Sequence, residues 1–357
     1  MMKERGISRF ETSGGDRIYR IPLDIFPGMH GYAHVVITKD LVVLFDVGSG
    51  FGDSNAQLEA GLDHIGGEFK ERVGWDRITH ILISHAHIDH YGGLHFVRER
   101  TSAPIGIHEL DRRVLTNYEE RLQVIEPRFR AFLVESGVPE SKAEELVTLY
   151  LLHKQLFSSI EVDFSYEAIG MRLNGLEFVH VPGHCSGQVV ARVDDILLSA
   201  DHILEHTSPH MAPECLSLNT GLEHYLASLQ KVSSLTQQVR LALGGHEGPV
   251  EDPEARIEAI IAVHRERLNQ ILDLLDTPAT ISEVSQELFP ETEAYHQILA
   301  VEETAAHFEY LYSRGFIELT NRDDFGAGAN KPREYSSRQI EDNVMPALKG
   351  GSGQQID

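Results

Sequence analysis

The sequence predicts a mixed α/β (α+β) fold, a β-rich core interrupted by a helical insertion and followed by a small carboxy-terminal unit. Three observations predict it. Short apolar or β-branched runs bounded by turn residues dominate the first half and return after residue 170. Helical periodicity replaces them between residues 110 and 157, and the end of the chain reads helix, helix, β-hairpin.

Residues 33–38 and 41–46 are strand-like runs joined by Lys39-Asp40, and the second ends in the glycine-rich loop Asp46-Val47-Gly48-Ser49-Gly50. Residues 78–84 form a nearly continuous apolar run, the pattern of a strand buried on both faces, and its end delivers His85 to a sheet edge. A helix over 92–100 and a short strand over 104–108 follow. Leu122, Ile125, Phe129, Phe132 and Leu133, then Leu146, Leu149, Tyr150 and Leu152, recur at helical spacing, and Gly137-Val138-Pro139 divides them into two helices. Strands resume over 171–173 and 176–181, flanking Asn174-Gly175, and over 188–193 and 196–200, flanking Asp194-Asp195. The helical piece at about 110–160 is therefore read as an insertion, a cap on the β domain. A helix over 222–235 and a strand over 239–243 come next, then a long helix whose stripe runs through Ile257, Ile260, Ile261, Leu268, Ile271, Leu272 and Leu275. Beyond Thr277-Pro278, helices over 281–289 and 293–314, Gly315 as a cap, and strands around the loop 321–331 give the outline of a winged helix. Domains are thus expected at 1–276 and 277–340, with a Gly/Ser-rich flexible tail over 341–357.

Composition narrows the function. With 41% hydrophobic and 24% charged residues over 357 positions, the chain has the make-up of a soluble globular protein with room for one large core and an appendage. Its 31 Lys and Arg against 55 Asp and Glu give a formal charge of −24, a field that repels polyanions. Cys185 and Cys215 cannot build a disulfide framework, and the polar residues 1–15 do not resemble a signal peptide. No apolar run approaches the roughly 20 residues of a membrane span. A cytoplasmic protein without membrane association is expected.

Twenty histidines stand out, and they cluster. His85, His87, Asp89 and His90 fall within six residues straight after a buried strand, in Ser84-His85-Ala86-His87-Ile88-Asp89-His90-Tyr91-Gly92-Gly93. Such spacing can turn two imidazoles to one side and a carboxylate with an imidazole to the other, the N and O donors that first-row divalent metals prefer. Pro182-Gly183-His184, Ser199-Ala200-Asp201-His202 and Gly244-Gly245-His246 each follow a predicted strand and complete a set of seven candidate ligands.

The pattern HxHxDH, then His184, Asp201 and His246, with Asp46-Val47-Gly48 upstream, resembles the metallo-β-lactamase superfamily over about residues 18–250, the insertion apart. That resemblance implies an αββα sandwich with a metal cleft at one sheet edge. It implies that His85, His87 and His184 hold one metal, that Asp89, His90 and His246 hold a second, that Asp201 bridges them, and that Asp46 is a structural aspartate at a strand end. Two metals about 3.5–4 Å apart share a water, lower its pKa toward 7 and polarise a substrate oxygen, so a bridging hydroxide is the expected nucleophile. Zinc is the first expectation for both ions, and iron or manganese suit the same donors.

Asp89 can also orient the nucleophile, and His202 is placed to reach a substrate or a ligand carboxylate; both are candidate catalytic residues. Cys185 reads as a space-filler, His206 and His210 as surface residues after the Asp201 turn, and His264 as packing. Tyr118, Arg121, Arg128 and Arg130 read as a solvated helix face. Gly244-Gly245-His246-Glu247-Gly248 departs from the family's usual proline-glycine-histidine-glycine and brings the charge of Glu247 near the second metal.

Core, long helix and winged-helix-like unit in that order are similar to the lactamase-like endoribonuclease group. The charge argues otherwise, because residues 277–325 carry two basic side chains against ten acidic ones. The expected function is therefore metal-dependent hydrolysis of a carboxylic ester, thioester or lactone of a small acyl substrate. A phosphodiesterase or endoribonuclease using the same metals is the alternative, and a non-hydrolytic iron oxygenase the third reading. The carboxy-terminal unit is expected to pack or to support a homodimer.

Overall fold

In the computed structural model, residues 6–155, 157–324, 331–338 and 344 are described. Of the expected flexible tail all but Val344 lies outside them, as do residues 325–330 of the expected hairpin loop.

The chain opens with β1 (Ser8–Glu11), β2 (Arg17–Phe26), β3 (Met29–Ile37) and β4 (Val42–Phe45), each antiparallel to the next. Helix α1 (Ser54–Glu68) leads to β5 (His80–Leu82), which lies parallel to β4. Short helices α2 (Ile88–Tyr91) and α3 (Leu94–Arg98) precede β6 (Ile105–Ile107). Helices α4 (Glu109–Thr116), α5 (Tyr118–Glu135) and α6 (Glu140–Lys154) follow, then β7 (Phe164–Ser165), β8 (Arg172–Leu173), β9 (Leu176–His180), β10 (Val189–Val193) and β11 (Ile196–Ala200). The remainder is α7 (Leu222–Ser233), β12 (Leu241–Gly244), β13 (Pro249–Val250), α8 (Pro253–Leu274), β14 (Ala279–Thr280), α9 (Ile281–Leu288), α10 (Tyr295–Ser313), β15 (Ile317–Leu319) and β16 (Glu334–Ser337).

These elements form two compact units. The first comprises Met1–Glu119, Phe157–Pro209 and Leu235–Arg256, the second Glu120–Leu156, His210–Ser234 and Ile257–Asp357. Contacts therefore divide the chain along different lines from its linear order: α4 stays with the sheets, whereas most of α5 and all of α6 pack with the carboxy-terminal elements.

The first unit holds a seven-stranded sheet in the order β1 to β7 and a six-stranded sheet in the order β13-β12-β11-β10-β9-β8. Their facing surfaces make one core. Ile18, Val36, Val43, Phe45, Leu82 and Tyr166 from the first sheet and its edge meet Phe178, Val189, Ala191, Val193, Ile196, Leu198 and Leu243 from the second. The two-residue period of β10 and β11 puts Val189, Ala191 and Val193, and Ile196 and Leu198, on this inner face. Val190 and Leu197 on the outer face are buried as well, so both faces of the strands are covered. Tyr166 stacks on Phe178 at 4.2 Å between ring centroids, and its hydroxyl donates to the carbonyls of Ile83 (2.9 Å) and Gly106 (3.1 Å). It thus ties two strand ends of one sheet to the apolar face of the other.

In the second unit α10 is buried on nearly every side from Ala300 to Leu311, as expected of a helix with α6, α7 and α9 packed around it. Glu303, inside this helix, accepts from Arg267 (2.5 Å) and from the Met211 N–H (2.9 Å). Thr280 and Glu283 form a reciprocal cap at the start of α9, and β14, β16 and β15 make a three-stranded sheet.

Truncating the packed ring in Phe178→Ala is expected to destabilise the first unit by about 3–5 kcal/mol. Tyr166→Phe, which removes the hydroxyl shared by the Ile83 and Gly106 carbonyls while Gly106 keeps the Ile83 N–H, should cost about 1–2 kcal/mol. Denaturant midpoints of the two variants against the wild-type chain check both magnitudes.

Candidate metal centre

Parallel strands that lie side by side end on the same edge, and this brings the polar loops together. Asp46 follows β4 and Ser84 to His90 follow its parallel neighbour β5; Asp201 follows β11 and His246 follows its parallel neighbour β12. His184 comes from the loop after β9.

All seven predicted ligands meet, in two groups. His85 Nε2 lies 3.1 Å from His87 Nδ1, which lies 2.9 Å from His184 Nε2. In the other group His246 Nε2 lies 3.2 Å from Asp89 Oδ2 and 3.3 Å from Asp201 Oδ2, while His90 Nε2 lies 3.4 Å from Asp201 Oδ1 and 3.6 Å from Asp89 Oδ2. Asp201 faces both groups, since its Oδ2 is also 3.6 Å from His184 Nε2. Donors about 2.0–2.1 Å from a tetrahedral metal stand about 3.3 Å apart, so both groups have the spacing of a ligand set. Among the described residues, buried His90 Nε2 and Asp201 Oδ1 have no hydrogen-bond partner, which in an interior is costly unless something else satisfies them. The residues therefore fit a pair of transition-metal ions.

The imidazoles are held by their other nitrogens. The Asp46 carboxylate, 1% exposed, accepts from the backbone N–H and the hydroxyl of Ser84 (both 2.8 Å) and from His90 Nδ1 (2.8 Å). With its proton given to Asp46, the Ser84 hydroxyl accepts from His85 Nδ1 at 3.0 Å. His246 Nδ1 donates to the His30 carbonyl at 2.7 Å. In all three residues Nε2 is left facing the donor cluster, the arrangement that fixes a ligand's tautomer.

The His246 loop is fastened from beneath. Buried Arg20 donates to the carbonyls of Gly244 (2.8 Å) and His246 (3.0 Å) and lies over the Tyr32 ring, and the Tyr32 N–H donates to the Gly245 carbonyl between them (2.8 Å). Burial lowers the Arg20 guanidinium to about 10, still charged at neutral pH. A Cβ on Gly245 would lie 2.6 Å from Asp201 Oδ1 and from His90 Cε1, so no other residue fits there. The Gln188 amide, oriented with its oxygen toward the loop, accepts from the N–H groups of Asp201 (3.2 Å) and His202 (3.0 Å). Ala200 and Glu247, the neighbours of two ligands, take positive φ values of 46° and 57°, a conformation that costs an L-residue about 1–2 kcal/mol.

Electrostatics pair the second group internally. Burial alone would lower His90 and His246, but Asp201 and Asp89, joined at His90 by Asp46, hold both well above the usual imidazole range. Burial works to raise Asp89 and Asp201, and the same two imidazoles outweigh it and keep both carboxyls low. At His85 burial, joined by the neighbouring His90 and His87, outweighs Asp201 and pushes the ring far below the imidazole range, leaving it neutral.

The remaining predicted residues separate clearly. His202 is fully buried directly after Asp201. The Cys185 thiol, raised by burial and by Asp111, stays protonated and points at Asp111 rather than into either donor group. His206 is exposed, and His210 faces Glu302 at 3.3 Å. Glu247 spends its charge on the His206 N–H (2.6 Å) and on the backbone and hydroxyl of Thr207. Tyr118 is buried with its N–H on the Ser159 hydroxyl, Arg128 is exposed, and Arg130 pairs with Glu126 and Glu144.

A third donor group, His264, Glu303 and His307, lies in the second unit. Glu303 is engaged by Arg267 and Met211, His307 Nδ1 donates to the Glu303 carbonyl (2.7 Å), and burial with Arg267 lowers both histidines. With the Glu303 carboxylate held by Arg267 and the Met211 N–H, and with His307 Nδ1 on the Glu303 carbonyl, the group's polar atoms already serve the packing of this unit. Arg20 and Gln188 went unnoticed in the sequence because their partners are distant in the chain. Only their position inside buried strand patterns could have flagged them.

A family model described as the metallo-beta-lactamase superfamily matches residues 27–272. The probable metallo-hydrolase YqjP of Bacillus subtilis (strain 168) is 25% identical over 291 residues, covering 77% of this chain and 86% of that protein. Among solved structures, the metallo-beta-lactamase family protein TTHA1429 from Thermus thermophilus superposes with a TM-score of 0.69 at 25% identity, covering 90% of this chain and 98% of that one. A beta-lactamase domain protein from Burkholderia ambifaria has a TM-score of 0.68 at 18% identity, covering 93% and 94%, a likeness of fold.

Two outcomes follow from this geometry. Asp46→Asn turns an N–H₂ toward groups that need an acceptor and is expected to weaken metal binding by about 10- to 100-fold, read by competition with a chromophoric chelator. His90 and His246 hold protons above the usual imidazole range, so metal must displace those protons at neutral pH, and affinity should rise with pH. Calorimetric titration in buffers of different ionisation enthalpy measures the protons released; release of none would contradict the assignment.

Proposed function

Because the chain belongs to the metallo-beta-lactamase superfamily and is a metallo-hydrolase of it, we propose that it cleaves a carboxylic ester, thioester or lactone of a small acyl substrate. The observation that carries this reading is the pair of adjoining donor groups where strand ends of the two sheets meet, with Asp201 facing both. His85, His87 and His184 would hold one divalent transition metal, Asp89, His90 and His246 a second, and Asp201 would join them, with zinc as the proposed ion. Such a pair supplies Lewis acidity to a substrate oxygen and makes water acidic enough to attack at neutral pH.

The chain's own residues do the rest. Asp89, low in pKa and free of any proton, is the acceptor that orients the attacking water through hydrogen bonding. His90 and His246 set the direction of their donor atoms through Asp46 and the His30 carbonyl. Of the two targets expected for His202, substrate or ligand carboxylate, full burial directly after Asp201 in the chain favours the carboxylate.

Charge supports an acyl substrate over a polynucleotide. The chain carries −24, and a strand of phosphates must be met by several cations. Glu302 and Glu303 are buried, and burial raises Glu302 to about 8, so neither adds a full surface charge. The other acidic side chains of residues 277–325 still outnumber Arg314 and Arg322. We read this winged-helix-like unit as a packing element with the capacity to support a homodimer. Among the described residues no helix is long and apolar enough to cross a membrane.

With zinc restored, hydrolysis of at least one member of an ester, thioester and lactone panel is expected, and His87→Ala and Asp201→Ala should each abolish it. Anisotropy titration should detect no single-stranded RNA binding at physiological salt. Micromolar RNA affinity with cleavage, and silence on every acyl substrate, would instead assign a nuclease.

A further inference from the structure

Asp111 is a carboxylate with no exposed surface, in the first turn of α4, and no part of the chemistry above uses it. Its two oxygens reach two different ligand loops. Oδ2 accepts from the backbone N–H of Ala86 at 2.8 Å, between His85 and His87. Oδ1 accepts from the N–H of Gly187 at 2.7 Å, three residues after His184. The Cys185 thiol donates to the same carboxylate at 3.3 Å. Nothing larger than glycine fits opposite it, since a Cβ on Gly187 would lie 2.6 Å from Asp111 Cγ.

The start of α4 is itself anchored to the second of these loops. His108, which accepts from the Leu110 N–H, stacks on His180 at 3.9 Å and faces Glu167 at 3.0 Å. His180 Nε2 in turn lies 2.8 Å from the Ser186 carbonyl.

We propose that Asp111 is the positioning residue of the first metal group: one buried carboxylate, bonded to both loops, sets the spacing of His85 and His87 against His184. This rests on the two-metal reading given above. The first group has three imidazoles and no carboxylate of its own, unlike the second, where Asp89 and Asp201 draw the rings together. Its three nitrogens come from two loops separated by nearly a hundred residues. Asp111 bonds to both of those loops beside the direct Val189 N–H to Ser84 carbonyl bond (2.9 Å), and the backbone amides it holds lie one residue from His85 and His87 and three from His184.

The test is a titration of metal-free chain with Co(II), followed by its visible absorption and by competition with a chromophoric chelator. Wild type is compared with Asp111→Asn and Gly187→Ala. Asparagine presents an N–H₂ where an acceptor is needed, and the alanine methyl displaces the carboxylate without removing it. Each variant is expected to keep one site at wild-type affinity and to weaken the other by about 10- to 100-fold, with altered absorption from that site alone. Circular dichroism of the metal-free chain establishes folding, and if Asp111→Asn does not fold, Gly187→Ala decides by the same criterion. Folded variants that load both metals with wild-type affinity, even if less stable, would overturn the proposal, as would equal weakening of both sites. A wild-type chain that loads only one metal would count against the two-metal reading, and Asp111 would then stand or fall on whether that single affinity drops in the variants.

Discussion

The Asp46 carboxylate, buried at the end of β4 with a φ of 59°, is the contact on which the donor cluster depends. Its two oxygens organise the first turn of the HxHxDH loop through Ser84 and His90, and through Ser84 they decide which nitrogen of His85 carries the proton. An unpaired carboxylate at that depth would be expensive. Here three donors satisfy it, and two of the bonds it accepts, from the Ser84 hydroxyl and from His90, orient rings that the site needs. Position and protonation are therefore settled together, by one side chain outside the ligand set.

The same device recurs around the cleft with different chemistry. Arg20 uses a buried cation to hold two carbonyls of the His246 loop, and Gln188 uses a neutral amide for the Asp201 turn. Backbone bent into unfavourable φ at Ala200 and Glu247 completes the set. Such strain persists only where the surroundings over-determine the conformation. Parallel pairing of β4 with β5 and of β11 with β12 supplies that constraint, and the apolar contact between the two sheets keeps the two pairs of strand ends opposed.

Much of this was legible in the sequence, and the gaps have physical causes. Strands β9, β10 and β11 were readable to within a residue or so because Asn174-Gly175 and Asp194-Asp195 punctuate them. Helix α8 was readable from its apolar stripe. Helix α1 was not, because Gly61, Gly66 and Gly67 dilute its helical propensity, and β2 hid its alternation behind Pro22 and burial on both faces. The two donor groups were readable because residue type, spacing and order converge. Their supports were not, since Arg20 and Gln188 act through contacts that the chain makes only once folded. The grouping of α6 with α10 belongs to the same class: periodicity marks an apolar face without saying which partner covers it.

The scatter of the donors along the chain has a further consequence. Residues 85 to 90 follow a strand of one sheet, and His184, Asp201 and His246 follow strands of the other. Ions held by both sets would act as cross-links, closing long loops in the unfolded ensemble much as disulfides do in chains that possess them. Folding and metallation would then be linked steps, because the complete donor set exists only once both sheets have paired and docked. Slow amide exchange should accordingly extend across the sheet interface in the loaded protein, making the ions a mechanical fastening of the sandwich as well as its reagent.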